Sequence, residues 1–96
     1  MASVTGILTI HLQIPGCTSL KEKRSWVKPV LARLHREFNL STAEVDLQDR
    51  WQEAVLACAI VSSSRAHVQQ TLQHTLGYIT RTWPDLLILD DSIEIL

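Results

Sequence analysis

Residues 4–14 read VTGILTIHLQI, and the alternation in this stretch decides the fold class. Leu8, Ile10, Leu12 and Ile14 fall on one face of an extended chain, and the polar residues between them fall on the other. This period of two predicts a strand that is buried on one side only. The Pro-Gly pair that follows ends the strand.

A helix is predicted for residues 19–38. Residues 19–22 read SLKE, a capping box in which the Ser19 hydroxyl and the Glu22 carboxylate each satisfy a free backbone N–H. Apolar residues then recur at helical spacing in a stripe about 100° wide. Pro29 lies inside this pattern and removes one backbone hydrogen bond, so we expect a single kinked helix.

The rest of the chain completes a β-α-β-β-α-β order. Residues 40–47 alternate as a second strand, and residues 53–61 are apolar almost throughout, as expected for a central strand. A second helix is predicted for residues 65–81, after three serines that offer N-caps, and a fourth strand for residues 86–96. The sequence therefore predicts one α+β domain over residues 1–96. We expect a ferredoxin-like βαββαβ sandwich, with a four-stranded antiparallel sheet and two helices on one face.

Composition excludes several classes of protein. Apolar residues make up 46% and charged residues 20% of the chain, which is typical of a globular domain. No apolar run reaches the ~18 residues of a membrane helix, and the N-terminal stretch lacks the pattern of a signal peptide. We therefore expect a cytoplasmic protein with no membrane partner. Its two cysteines are expected to be free thiols, with Cys17 exposed in a loop and Cys58 in the core.

The motifs of many binding sites and active sites are missing. The sequence has no Cys-x-x-Cys pair, no glycine-rich phosphate loop, no DNA-specific motif, and no aromatic residue in the first and third strands on which RNA bases could stack. His67 and His74 lie two helical turns apart, roughly 10 Å, too far to share a metal without a third group between them. We predict no catalytic residues, no metal site and no cofactor, and hence no enzyme. Trp51 and Trp83 are expected to cover the core edge, and Trp26 is a candidate contact residue.

Charge is distributed unevenly along the chain. The net charge is −1, yet residues 20–38 hold six basic and two acidic residues, and residues 39–96 hold three basic and eight acidic ones. Cations in the first turns of a helix oppose its dipole, and such local conflicts tend to occur where function requires them. The predicted RNA- or anion-binding residues are Lys21, Lys23, Arg24, Lys28 and Arg36. Lys23 points toward the core, so its ammonium must extend outward or find a carboxylate. A solvated face and an acidic protein partner are the alternatives.

The third strand raises a second hypothesis. If Leu56, Cys58 and Ile60 face the helices, the residues between them form a small apolar patch on the open face of the sheet, and such patches commonly mark interfaces. The predicted dimer or partner interface is Val55, Ala57, Ala59, Val61 and His11. A homodimer that packs sheet on sheet is the simple account, and an apolar but monomeric sheet is the alternative. A third hypothesis is a small-ligand binder or enzyme that uses His11, although the sequence pairs no serine or carboxylate with it.

Residues 19–24 read SLKEKR and are followed by Phe38-Asn39-Leu40-Ser41 and by Ala43-Glu44-Val45. With the Asp-x-Trp of residues 49–51, this pattern resembles the YlxP-like family of small bacterial proteins of unknown function, over nearly the whole chain. The resemblance implies the ferredoxin-like fold and no established activity. In several bacteria the family is encoded beside translation initiation factor 2 and a ribosome-binding factor. We therefore expect an accessory factor of translation or ribosome assembly whose partner is ribosomal RNA or a ribosomal subunit.

Overall fold

A computed structural model describes residues 2–96 of the chain. The elements are β1 (Val4–Gln13), α1 (Leu20–Phe38), β2 (Ser41–Asp46), β3 (Glu53–Ser62), α2 (Arg65–Thr82) and β4 (Leu87–Ile95). The strands form one antiparallel sheet in the order β2-β3-β1-β4. The predicted ferredoxin-like α+β fold is confirmed. Met1, which the predicted domain includes, lies outside the described residues.

Both helices cover the same face of the sheet. Gly6 of β1 lies so close to α2 that a Cβ atom on it would collide with the side chains of Val68 and Leu72. On the same side of the sheet, Thr42 of β2 donates its hydroxyl to the carbonyl of Leu31 in α1, at 3.0 Å. Within residues 2–96 the opposite face carries no helix, and it is called the open face below.

The core lies between the sheet and the two helices. Alternate residues of β1 and of β3 are buried, as predicted from their spacing, and so is one side of each helix. The buried residues of the two central strands are Gly6, Leu8, Ile10, Leu12, Ala54, Leu56 and Cys58. Because β1 and β3 lie in the middle of the sheet, their inward side chains have neighbours on every side.

Helix α1 begins and ends close to its predicted bounds. The Ser19 hydroxyl accepts a hydrogen bond from the backbone N–H of Glu22, at 3.0 Å. The Glu22 carboxylate accepts one from the N–H of Thr18, one residue before the position expected in a capping box. Asn39 closes the helix with a left-handed φ of 54°. The helix continues through Pro29 as one element.

Two predictions about exposure are wrong. Cys17, expected on the surface, is only 1% exposed and belongs to the core, because the loop after β1 is held to Gln52, just before β3, whose side-chain amide donates to the Cys17 carbonyl at 3.3 Å. Trp51, expected to cover the core edge, is 51% exposed in the loop between β2 and β3. Trp83 packs on the core as predicted, in edge contact with Tyr78 at a centroid distance of 6.0 Å.

Candidate nucleic-acid interface

Four of the five predicted anion-binding residues lie exposed on α1. They are Lys21, Arg24, Lys28 and Arg36, and we call them the basic flank. None of the four takes part in an ion pair within residues 2–96. The two acidic residues of α1 are engaged locally: Glu22 caps the helix, and Glu37 lies 3.8 Å from Arg33. The basic flank therefore keeps its positive charge available to a partner.

Lys23, the fifth predicted residue, is not available to a phosphate, and that prediction is wrong. Its side chain is 2% exposed, and its Nζ atom lies 2.7 Å from Oε2 of Glu44 in β2. The ammonium also donates to the carbonyls of Leu47 at 2.8 Å and Gln48 at 3.4 Å. Among the described residues, Oε2 of Glu44 accepts no hydrogen bond of ordinary angular geometry, so its contact with Lys23 is an ion pair. Of the two alternatives expected for its ammonium, Lys23 pairs with a carboxylate. Its hydrogen bonds also connect the first turn of α1 to the β2–β3 loop.

The basic flank runs along the β2 edge of the sheet. His35 Nδ1 lies 2.7 Å from the carbonyl of Leu40, and because a carbonyl only accepts, Nδ1 carries a proton. Leu31 contacts β2 through the hydrogen bond described above. Arg24 and Lys28 share this side of the helix, since residues three and four apart are neighbours on a helix surface. Arg24 and Lys28 are about 6 Å apart along the axis, at 1.5 Å per residue.

A shallow cleft of about 550 Å³ opens between α1 and the start of β2, and we call it the α1–β2 cleft. It is lined by Leu31, Ala32, His35, Asn39, Leu40, Ser41 and Thr42. Lys28 and Arg36 lie one helical turn before and after Ala32, so two cations of the basic flank border the cleft. Sequence reasoning missed this cleft because it depends on how α1 packs against β2.

The open face brings the five predicted interface residues together. Val55, Ala57, Ala59 and Val61 alternate with buried residues of β3, and His11 of β1 lies directly opposite Val55. Val61 is 68% exposed, whereas the other four are half-buried. The register also places the exposed residues Leu87 and Leu96 on this face.

Each edge strand contains a β-bulge next to the paired residues Val55 and His11. The pairings of β2 with β3 and of β1 with β4 each shift by one residue there. The extra residues are Val45 in β2 and Leu89 in β4, and both are exposed. In a bulge two residues oppose one, which redirects side chains and blunts an edge strand against further pairing. The bulges thus add an apolar residue at each rim of the open face.

His11 has a carboxylate partner that the sequence did not reveal. Its Nε2 atom lies 2.9 Å from Oε1 of Glu53, and Oε2 of Glu53 lies 3.3 Å from Nη1 of Arg50. The side chains of His11 and Glu53 remain 32% and 29% exposed, so the pair is partly solvated. Asp90 opposes His11 from β4. The register between β1 and β3 creates this cluster, and neither strand shows that register by itself.

Comparison with known proteins identifies the family. A model of the family described as "Protein of unknown function (DUF503)" matches residues 5–92. The chain belongs to the DUF503 family. It is 44% identical over 61 residues to the uncharacterized protein YlxP of Bacillus subtilis (strain 168), a match that covers 64% of this chain. The match spans 66% of the length of that protein. These findings confirm the resemblance to YlxP-like proteins and bring no activity with them.

Solved structures similar to this DUF503 member include a designed protein and a natural enzyme. The de novo designed protein Foldit4 matches with a TM-score of 0.56 at 14% identity, covering 99% of this chain and 97% of its own. SnoaB, a cofactor-independent oxygenase from Streptomyces nogalater, matches with a TM-score of 0.48 at 14% identity, over 100% of this chain and 92% of its own. The first likeness shows the fold alone, and the second supports no conclusion about this chain.

The other candidate groups of this DUF503 member have ordinary surroundings. His67 and His74 are exposed on α2, and Trp26 is half-buried against the core. Within residues 2–96 no three His, Cys, Asp or Glu side chains come close enough to hold a metal ion. Neither described helix is both long and apolar enough to cross a membrane. Burial raises the pKa of the Cys58 thiol to about 12, so this thiol is protonated and unreactive near neutral pH.

Proposed function

We propose that this protein is a non-enzymatic accessory factor of translation or ribosome assembly, and that the basic flank of α1 binds RNA phosphates. The observation that supports the proposal is a row of four exposed cations on one helix that have no acidic partner in the described part of the chain. Such cations bind phosphates without reading base sequence, by releasing the counterions of the nucleic acid. The position of related genes beside translation factors favours ribosomal RNA over other polyanions.

The placement of opposite charge supports the same proposal. Helix α1 packs beside β2, whereas β4 forms the other edge of the sheet. Exposed carboxylates gather on that far edge, at Asp90, Asp91 and Glu94. The local potential, rather than the net charge of −1, steers a charged partner. The β2 edge carries one exposed carboxylate, Asp46, so an RNA strand that approaches the basic flank from this side meets fewer acidic groups than on the β4 edge.

The test measures co-sedimentation with ribosomal subunits and binding to a short oligouridylate, each across a range of salt concentrations. Four phosphate contacts predict a slope of log K against log salt of about −3, at roughly 0.7 per contact for single strands. Replacing both Arg24 and Arg36 with glutamine should flatten the slope by about 1.4. The matched control replaces Arg65 and Arg81 of α2 with glutamine, which removes two exposed arginines elsewhere and should leave the slope unchanged.

Three results would contradict the proposal. Affinity that does not change with salt would exclude phosphate contacts. Equal losses in the α1 and α2 double variants would show that overall charge, rather than the basic flank, controls binding. A polyglutamate peptide that binds as tightly as the oligouridylate, and is weakened by the same α1 substitutions, would identify an acidic protein as the partner.

A second candidate function is a homodimeric interaction module, and the apolar open face favours it. Three of the large exposed apolar side chains, Val61, Leu87 and Leu96, lie on this face, and the bulged residues Val45 and Leu89 lie at its rims. Val61 and Leu96 lie at one end of this face and Leu87 at the other, with the small half-buried residues of β3 between them. Exposed apolar residues that share one face favour an interaction site. A twofold dimer would bury the same surface on both copies.

The dimer is tested by placing a large charged side chain at the centre of the open face. The Ala57→Arg variant should be monomeric by light scattering, whereas the wild type should be dimeric over the same concentrations. The Ala66→Arg variant, at an exposed position of α2, is the control and should behave as the wild type. A wild-type monomer, or an Ala57→Arg variant that remains dimeric, would contradict this candidate function.

A further inference from the structure

The α1–β2 cleft has a lining of both apolar and polar groups. Leu31, Ala32 and Leu40 supply its apolar part. Asn39 and Ser41 make no side-chain hydrogen bond within residues 2–96, so both can donate to a ligand and accept from one. His35 already donates from Nδ1 to the Leu40 carbonyl, which fixes its ring, and its Nε2 has no hydrogen-bond partner among the described residues. A volume of about 550 Å³ lies within the usual range for small-molecule sites.

Charge around the cleft favours a neutral group inside it and anions beside it. The cleft lies at the C-terminal end of α1, where the helix dipole places partial negative charge and backbone carbonyls lack helical partners. A phosphate is disfavoured there, whereas the amino and imino groups of a nucleobase can donate to those carbonyls. Lys28 and Arg36, one turn on either side of Ala32, can hold the phosphates that flank such a base.

We propose that the α1–β2 cleft receives one unstacked base of single-stranded RNA, with its neighbouring phosphates bound by Lys28 and Arg36. The inference rests on the proposed function of the basic flank and adds the form of RNA that it recognises. Bases of single strands can be splayed into pockets and stacked on histidine or arginine side chains, whereas bases in a duplex are already paired and stacked. The imidazole ring of His35, which lines the cleft, supplies such a stacking surface here.

The test compares a short single-stranded oligouridylate with an RNA hairpin that has the same number of phosphates. Fluorescence anisotropy should give an affinity about tenfold higher for the single strand, which corresponds to stacking of one base. Replacing Ala32 with leucine fills the cleft with a helix-forming residue and leaves the charge of the basic flank unchanged. It should remove the tenfold preference and leave hairpin binding as it is. The Ala66→Leu variant on α2 is the matched control and should keep the preference.

The outcomes distinguish failure of the base-binding cleft from failure of the proposed phosphate binding by the basic flank. Equal, salt-dependent binding of both RNAs by the wild type would overturn the base-binding cleft and leave the phosphate-binding flank in place. A single-strand preference that survives in Ala32→Leu would also overturn the cleft. Absence of binding to both RNAs would overturn the proposed function, and the cleft with it.

Discussion

Ionisable side chains on the two faces of the sheet differ in how much of their surface is exposed to solvent. On the face covered by the helices, Lys23 and Glu44 meet at 2.7 Å, and the pKa of the Cys58 thiol rises to about 12. On the open face, His11 and Glu53 are almost as close, at 2.9 Å, yet about a third of each side chain remains in water. The two distances alone therefore do not predict how much each pair stabilises the fold. We expect the pair with the more deeply buried charge to contribute more, because burial removes the solvent that would otherwise compensate a missing partner.

The largest effect is expected from removing the carboxylate that pairs with the buried Lys23 ammonium; the Lys23 side chain is 2% exposed and that of Glu44 21%. The Glu44→Ala substitution leaves the Lys23 ammonium enclosed without its counter-charge, which should cost about 3 kcal/mol in the free energy of unfolding, measured with urea. The double variant Lys23→Met, Glu44→Leu should recover most of that loss, because an apolar replacement of a buried pair is often neutral. A loss below about 1 kcal/mol in Glu44→Ala would show that this pair contributes no more than a solvent-exposed ion pair.

Two glycine substitutions test how tightly the covered face is packed. Alanine at Gly6 should cost about 2 kcal/mol, because its Cβ would overlap Val68 and Leu72 of α2. Alanine at Gly77 is the control, since its Cβ would meet only the flexible end of Arg81. It should stabilise the protein by about 0.7 kcal/mol through the better helix propensity of alanine. If Gly6→Ala is neutral in thermal unfolding, the contact between β1 and α2 is looser than the structure shows.

The raised pKa of the Cys58 thiol predicts that the free energy of unfolding decreases at alkaline pH. Its pKa is raised from 9.0 to about 12 by burial in the folded protein, so above pH 9 the unfolded chain loses this proton while the folded chain keeps it. Stability contributed by this group is present below pH 9 and should fall by about 1.4 kcal/mol per pH unit above it. Urea denaturation at several pH values from 8 to 11 gives the free energy of unfolding as a function of pH. Above pH 9 this free energy should fall less steeply with pH in Cys58→Ala than in the wild type, by that amount. Parallel pH profiles would mean that the thiol ionises equally in both states.

The smallest effect is expected on the open face. The Glu53→Gln substitution keeps the shape of the side chain and removes its charge from both His11 and Arg50. The free energy of unfolding should change by at most about 1 kcal/mol, because exposed pairs contribute little. Raising the salt concentration should reduce even this difference. A loss comparable to that of Glu44→Ala would remove the contrast between the two faces.

Local sequence patterns determined the elements and their order. Alternation in residues 4–14, the capping serine at Ser19 and the apolar stripe that follows depend only on neighbours in the chain, so they could be read without the fold. The apolar run of residues 53–61 likewise predicted a central strand with Cys58 in the core. The basic flank was predicted in outline because residues three and four apart share a helix face.

Contacts between elements distant in the chain were decided only by the tertiary structure. Lys23 looked like one more cation of a basic helix, and only the packing of β2 beside α1 brings Glu44 and the β2–β3 loop to it. Glu53 meets His11 through a register 42 residues apart in sequence, which neither strand encodes alone. The α1–β2 cleft exists only where two elements meet. Helical and strand periodicity fix which side of an element is apolar, whereas the choice of partner depends on how all the apolar sides are buried together.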